Sequence, residues 1–473
     1  MNSRAINFAK NFSYTLLSNL VSLVISTLVV LIIPRLIGVE EYGYWQLYLF
    51  YSSYVGFLHF GWNDGVYLRF GGEHYNKLDK RLFHSQFYML AMSQLLLFVI
   101  LFILSTLIFK NENRTFVFQM TAICMLIVNI RYMLLFILQA TNRIVEYSRI
   151  TIFDRISYAI LITCFIFINL VDYKLMIVFD LVGKLLSLIY AIYFCRDIVF
   201  HSFTTFYFSF SEAINNISVG IKLMFSNIAS KLIIGVVRFG IERSWSISIF
   251  GKVSLTLTIS GFMMLFINAI GIILFPLLRR SSEEKLPMLY LTMRDFLMLF
   301  LLVLLTVYYP FKEILSIWLP QYKDGLFYMA MLFPMILYEG KMALLINTYL
   351  KTLRKEKNMM RFNLIALFLS IVFTVFTSAI VKNLDLAVLS IVVVIGFRSI
   401  ISEVYLSRLL KIKVIKDIVL ELIMTILFIA IAWFIDSWNV VTIYAVGYLA
   451  YLIVKRKDLA ISAKNLKGLI SKE

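Results

Sequence analysis

The chain has 473 residues, 61% of them apolar and 15% charged, with 45 Lys and Arg against 27 Asp and Glu and a net charge of +18. A soluble domain carries roughly 25% charged residues, so this composition, with 42 Phe and only 6 Pro, excludes a disordered protein, a disulfide scaffold and a cytosolic enzyme. It fits an all-α polytopic membrane protein, in which runs of about 20 apolar residues cross the hydrocarbon core. In such a protein a basic excess marks cytoplasmic loops, not a nucleic-acid surface.

Fourteen apolar spans follow in chain order: 12–34, 43–62, 86–109, 115–138, 153–171, 175–195, 218–239, 250–276, 291–311, 325–349, 360–381, 385–407, 417–435 and 438–454. The first begins like a signal peptide, with two positive charges in Met1–Lys10. It is long, however, ends in Pro34-Arg35 and has no small-x-small cleavage site after it, so it reads as a retained helix. Cys124, Cys164 and Cys195 fall inside or at the edge of apolar runs, and their odd number argues for membrane-buried thiols.

With the N-terminus inside, the inner segments carry 28 Lys and Arg and the outer segments 8. This asymmetry places both termini in the cytoplasm. It also supports the span count, because one missed helix would scramble the alternation downstream. The outer loops are short, the longest being 312–324. They leave no room for the external domain that an integral sugar polymerase or ligase needs.

Gly43, Leu47, Leu49 and Ser52 recur at an offset of 208 as Gly251, Leu255, Leu257 and Ser260, each set following the first helix of a six-helix group. An even-numbered repeat unit gives two halves of the same topology, one of the transporter blueprints. The expected organisation is a six-helix bundle over 1–217, a second over 218–411, and two additional helices with a basic cytoplasmic tail over 412–473.

The stretch Pro34-Arg35-Leu36-Ile37-Gly38-Val39-Glu40-Glu41-Tyr42-Gly43, followed by Phe60-Gly61-Trp62-Asn63-Asp64-Gly65-Val66-Tyr67-Leu68-Arg69, resembles the opening signature of bacterial polysaccharide flippases. Arg238-Phe239-Gly240-Ile241-Glu242-Arg243-Ser244-Trp245, Phe250-Gly251-Lys252-Val253-Ser254-Leu255 and Phe275-Pro276-Leu277-Leu278-Arg279-Arg280 resemble the capsule and O-antigen repeat-unit branch. That family belongs to the multidrug, oligosaccharidyl-lipid and polysaccharide exporter superfamily. The resemblance implies a MATE-like lipid-flippase fold in the bacterial cytoplasmic membrane. It implies alternating-access export of undecaprenyl-pyrophosphate-linked oligosaccharide, with the lipid bilayer and other polysaccharide-assembly membrane proteins as partners. The lipid II branch carries arginines in its first helix, whereas span 1 here has no charge before Arg35.

Such a cargo needs fixed cations for its diphosphate and aromatic faces and hydroxyl partners for its sugars. In span 7, Gly220, Met224, Asn227, Lys231, Gly235, Arg238 and Glu242 share one helical face. Lys231 lies near mid-depth, where a charge costs at least roughly 2.5–3.5 kcal/mol, so it serves either the substrate or a structural ion pair. Arg238 either lines the cavity or pairs with Glu242 at i,i+4. Lys222, on the opposite face, snorkels. In span 1, Thr15, Ser18, Asn19, Ser22 and Ser26 form a polar stripe that lines a shared cavity or packs helices.

Arg131 in span 4 and Arg398 in span 12 are further cavity candidates, while Asp180 and Lys184 are spaced as an ion pair. Glu339, near the helix-weakening Pro334, either binds a coupling ion or partners a cation on a neighbouring helix, and its spacing from Lys341 puts the two on different faces. Asp64 and Arg69 suit a cytoplasmic gate or a capped loop. Of the span 2 aromatics, Tyr48 and Tyr51 lie deep enough to stack on sugar, and Tyr42, Tyr44 and Trp45 belong to an interfacial belt. The four scattered histidines form no metal motif, no Gly-rich phosphate cradle is present, and no cofactor is implied. A cation-coupled multidrug antiporter of the same superfamily is the competing function. It would require cavity acids where this chain places mainly cations.

Overall fold

The computed structural model describes residues 13–14, 20–21, 24–25, 27–167, 172–280 and 283–470. Thr15, Ser18, Asn19, Ser22 and Ser26, the expected polar stripe of span 1, lie outside these residues. Every regular element among the described residues is helical, and nine helices are long and apolar enough to cross a membrane. The polytopic all-α fold class read from composition is the one observed. The chain divides into two compact units, Met1–Ile228 and Ala229–Glu473.

The first unit contains α1 (Val39–Ser52), α2 (Trp62–Arg69), α3 (Lys80–Ile108), α4 (Glu112–Ala140), α5 (Ile144–Phe167), α6 (Tyr173–Phe194) and the first half of α7 (Phe210–Ser244). Local chemistry sets the starts of three helices. The Asp79 carboxylate accepts from the amides of Arg81 and Leu82, the Asn111 side chain from Arg114, and the Asp172 carboxylate from Lys174, which satisfies donors that the first turn leaves orphaned. At 29 residues each, α3 and α4 run about 43 Å. They differ in setting: α3 exposes Leu96, Ile103 and Leu107, as a lipid-facing helix does, whereas α4 buries Met125, Met133 and Leu134 at the unit's centre. Span 2 was expected as one helix over 43–62. Instead α1 ends at Ser52 and the chain breaks at Phe60 (φ 53°) and Gly61 (φ 84°) before α2. Two consecutive residues in the left-handed region cannot continue a right-handed helix.

The second unit holds the rest of α7, α8 (Ile247–Arg280), α9 (Leu286–Leu304), α10 (Met335–Lys341), α11 (Glu356–Thr374), α12 (Leu384–Leu410), α13 (Ile415–Phe434) and α14 (Asn439–Ile470). Pro334 separates Met329–Leu332 from α10 by removing a donor from the ladder. A π-helical turn at Met342–Ile346 then links α10 to Asn347–Thr352. The basic segment after 454, expected as a tail, continues α14 to Ile470. It is anchored, because Lys455 and Ser462 are both buried.

Candidate functional site

The mid-depth polar residues of the second unit start on α7. Asn227, just before the unit boundary, and Lys231 both have exposed side chains, whereas Met224, Gly235 and Glu242 are buried and Arg238 is half-buried. The expected stripe is thus divided: its middle opens outward and its flanks pack. Arg238 donates to the Ser254 hydroxyl at 3.0 Å and lies 5.5 Å from the centre of the Phe250 ring. The Glu242 carboxylate accepts from the adjacent Arg243 at 3.2 Å.

Beside Lys231, the Ser230 hydroxyl accepts from Arg398 on α12 at 3.3 Å, and the same guanidinium donates to Glu339 on α10 at 2.6 Å. The structure therefore collects Arg398 and Glu339 as a pair against the residue next to Lys231. Arg398 is almost enclosed, while the Glu339 side chain keeps 23% of its surface exposed. A carboxylate that is paired and still accessible can exchange partners, and so can the cation bound to it.

A larger ionic network, which sequence reasoning missed, lies in the same unit. Arg294 of α9 donates to Glu403 at 2.7 Å and to Glu421 at 2.5 Å. Lys341 of α10 bridges the same two carboxylates at 2.6 and 2.5 Å, and the Tyr290 hydroxyl donates to Glu403 at 3.0 Å. Asp417 continues the network, accepting from Lys455 at 2.8 Å, and Lys455 also reaches Asp295 at 2.8 Å. Five helices, α9, α10, α12, α13 and α14, are joined through these groups. Charges this deep persist only when each is paired and hydrogen-bonded. The two C-terminal helices are therefore tied to the other helices of the unit through these groups.

In the first unit, Arg131 of α4 is buried and donates to Asp154 of α5 at 3.1 Å and to the Ser187 hydroxyl of α6 at 3.0 Å. Lys184 pairs with Asp180, and the Tyr48 hydroxyl donates to the same Asp180 at 2.5 Å. Tyr48 is fully enclosed and stacks on Trp45 with ring centres 5.7 Å apart. Tyr51 is half-buried, 4.6 Å from the Phe118 ring. Two cations and two carboxylates thus form a neutral interior cluster, and in this arrangement Tyr48 faces protein.

The Asp64 and Arg69 candidates sit on α2. Asp64 lies 3.6 Å from His59, and Arg69 donates to Glu212 and to Asn216 of α7, both at 2.7 Å. Backbone meets backbone here. A Cβ on Gly65 would fall 1.9 Å from the Asn216 carbonyl oxygen, and one on Gly220 would fall 2.0 Å from the Gly61 carbonyl oxygen.

No family model and no curated protein matches the sequence. Solved structures do. A lipid II flippase, MurJ, in an inward closed conformation aligns with a TM-score of 0.65 at 15% identity, over 97% of this chain and 99% of its own. An inward-facing multidrug resistance MATE family transporter of the MOP superfamily aligns with a TM-score of 0.63 at 13% identity, over 83% of this chain and 98% of its own. An outward-facing MATE transporter aligns at 0.50 and 12% identity, over 85% and 96%. The fold is that of the MOP-superfamily transporters. A lipid flippase and multidrug transporters both have it, so the fold by itself assigns no function.

Proposed function

We propose that the protein is a flippase that moves undecaprenyl-pyrophosphate-linked oligosaccharide repeat units from the inner to the outer face of the bacterial cytoplasmic membrane, by alternating access, for capsule, O-antigen or exopolysaccharide synthesis. The observation that carries this reading is Lys231, an exposed residue at the middle of α7 that follows Ser230, whose hydroxyl accepts from the Arg398 of the Arg398–Glu339 pair. A cation at membrane depth is expensive. A diphosphate in transit is a ligand that uses it. The competing drug-antiporter reading requires acids available to a cationic cargo. Asp154, Asp180, Glu403 and Glu421 are each enclosed and engaged by a basic side chain, which leaves Glu339, held by Arg398, as the accessible acid of these five.

Lys231→Ala is expected to lower surface polysaccharide per molecule of inserted protein by about tenfold to a hundredfold, the size of one lost charge-assisted bond of about 1.5–3 kcal/mol. Abundance in the membrane should stay near normal. Lys231→Arg should retain part of the activity, because charge persists while geometry changes. Normal export per molecule in Lys231→Ala refutes the phosphate-binding role.

A further inference from the structure

On the first unit, where the chain turns between α2 and α3, between α4 and α5, and after α6, the surface holds an open cavity of about 710 Å³. That is the volume of a small organic ligand. The alternation of Lys- and Arg-rich segments along the whole chain assigns the three turns to the cytoplasmic side.

Tyr75 is one of the lining residues. It is nearly enclosed, its hydroxyl donates to Asp197 at 2.6 Å, and its ring carries two cations: the Lys80 ammonium 3.4 Å from the ring centre and the Arg143 guanidinium at 4.4 Å. The acid in the cavity wall is already occupied, since Asp197 also pairs with Lys80 at 2.9 Å. Burial pushes its carboxyl up, but the Tyr75 and Lys80 contacts outweigh this and hold it below the usual range. Arg143 spends two of its five donors, on Glu146 and the Phe194 carbonyl.

Two further groups are open. Arg196 is exposed, rests 5.9 Å from the Tyr193 ring and has no acidic partner among the described residues; His74 is exposed and has no side-chain hydrogen bond there. The wall thus presents unspent cationic donors with no free acid to answer them.

The surroundings indicate the source of the matching anion. Tyr193, which lines the cavity, and Phe200, four residues after Arg196, are each more than half exposed. Exposed aromatic rings at a basic edge are the mark of a headgroup-level interface. We propose that this cavity binds the phosphate of an anionic glycerophospholipid of the cytoplasmic leaflet, held by Arg143 and Arg196 and edged by Tyr193. The site is separate from Lys231 and independent of the cargo assignment.

The test uses the purified full chain and its thermal stability in detergent on titration with dioleoyl phosphatidylglycerol, dioleoyl phosphatidylcholine or glycerol 1-phosphate. Phosphatidylglycerol should stabilise the wild type saturably and phosphatidylcholine should not. Arg196→Gln should weaken the phosphatidylglycerol response about tenfold. Arg149→Gln, an exposed arginine on the same predicted side but outside the cavity wall, should leave it unchanged. Equal losses in the two variants, or equal responses to the two lipids, overturn the proposal. Saturation by glycerol 1-phosphate with displacement of the lipid overturns the assignment to a membrane lipid in favour of a soluble phosphate ester.

Discussion

Lys341→Met is expected to lose most of the folded protein from the membrane. The substitution keeps the side chain's length and apolar stem and removes only the ammonium. Glu403 and Glu421 are then left within a few ångströms of each other, both enclosed, sharing the single guanidinium of Arg294. Removing one partner of a buried ion pair costs about 3–5 kcal/mol, because the remaining charge has no water to turn to. That is comparable to a large part of a domain's net stability. Lys252→Met provides the contrast: its partner Asp324 is 89% exposed, and an exposed pair contributes about 0–1 kcal/mol. Melting temperature and monodisperse yield in detergent should therefore fall sharply for Lys341→Met and hardly at all for Lys252→Met. The pairing itself is tested by Lys341→Met combined with Glu421→Gln, which removes the orphaned charge and should recover part of the loss as a positive coupling in the double-mutant cycle. A Lys341→Met protein that melts with the wild type removes the network from any account of how the C-terminal helices are held.

This network shows where reading the sequence stops. Composition, apolar runs and the Lys and Arg asymmetry were enough for an all-α polytopic class, because hydropathy and backbone satisfaction in lipid leave few alternatives. Arg294 stands at the edge of an apolar run, where a cation reads as a loop charge. In the structure it is one of the most enclosed side chains of the chain. Its partners Glu403 and Glu421 lie 109 and 127 residues away on other helices, and helical periodicity describes one helix at a time. The available signal was that Glu403, Asp417 and Glu421 fall in or beside apolar spans at the same predicted inner end as Arg294 and Lys455.

The same limit applies to Tyr48. Its depth was legible, but its bond to Asp180, 132 residues on, was not. Glu339 is an intermediate case. Its spacing from Lys341 excluded the nearest cation on its own helix, which left a cross-helix partner or an ion as the alternatives. The structure places it on Arg398. The α2 break was visible as a Gly-flanked segment, but nothing in the sequence showed that α7 lies against it backbone to backbone.

Gly65→Ala and Gly220→Ala are each expected to abolish export, for a reason that involves no charge. Small residues let membrane helices approach until their backbones touch, and here the approach leaves no space for a methyl group. The added carbon at Gly65 would overlap the Asn216 carbonyl oxygen at 1.9 Å, and at Gly220 it would meet both the Gly61 carbonyl oxygen at 2.0 Å and the Gly65 nitrogen at 2.3 Å. All of these are main-chain atoms, so no rotamer change relieves them. α2 and the N-terminal half of α7 have to separate, and with them the bonds from Arg69 to Glu212 and Asn216. Gly61 is further constrained by its φ of 84°, which disfavours any side chain. Gly38 and Gly261 serve as controls, since an added Cβ at either meets nothing within 4 Å among the described residues. Gly38→Ala and Gly261→Ala should export normally, and at Gly261, inside α8, alanine should even favour the helix by about 1 kcal/mol. The readout is surface polysaccharide per molecule of inserted protein, taken together with the melting temperature. If Gly65→Ala and Gly220→Ala both export like these controls, the contact between α2 and α7 is not as close in the working protein as it is here, and Arg69 must hold α7 by some other route.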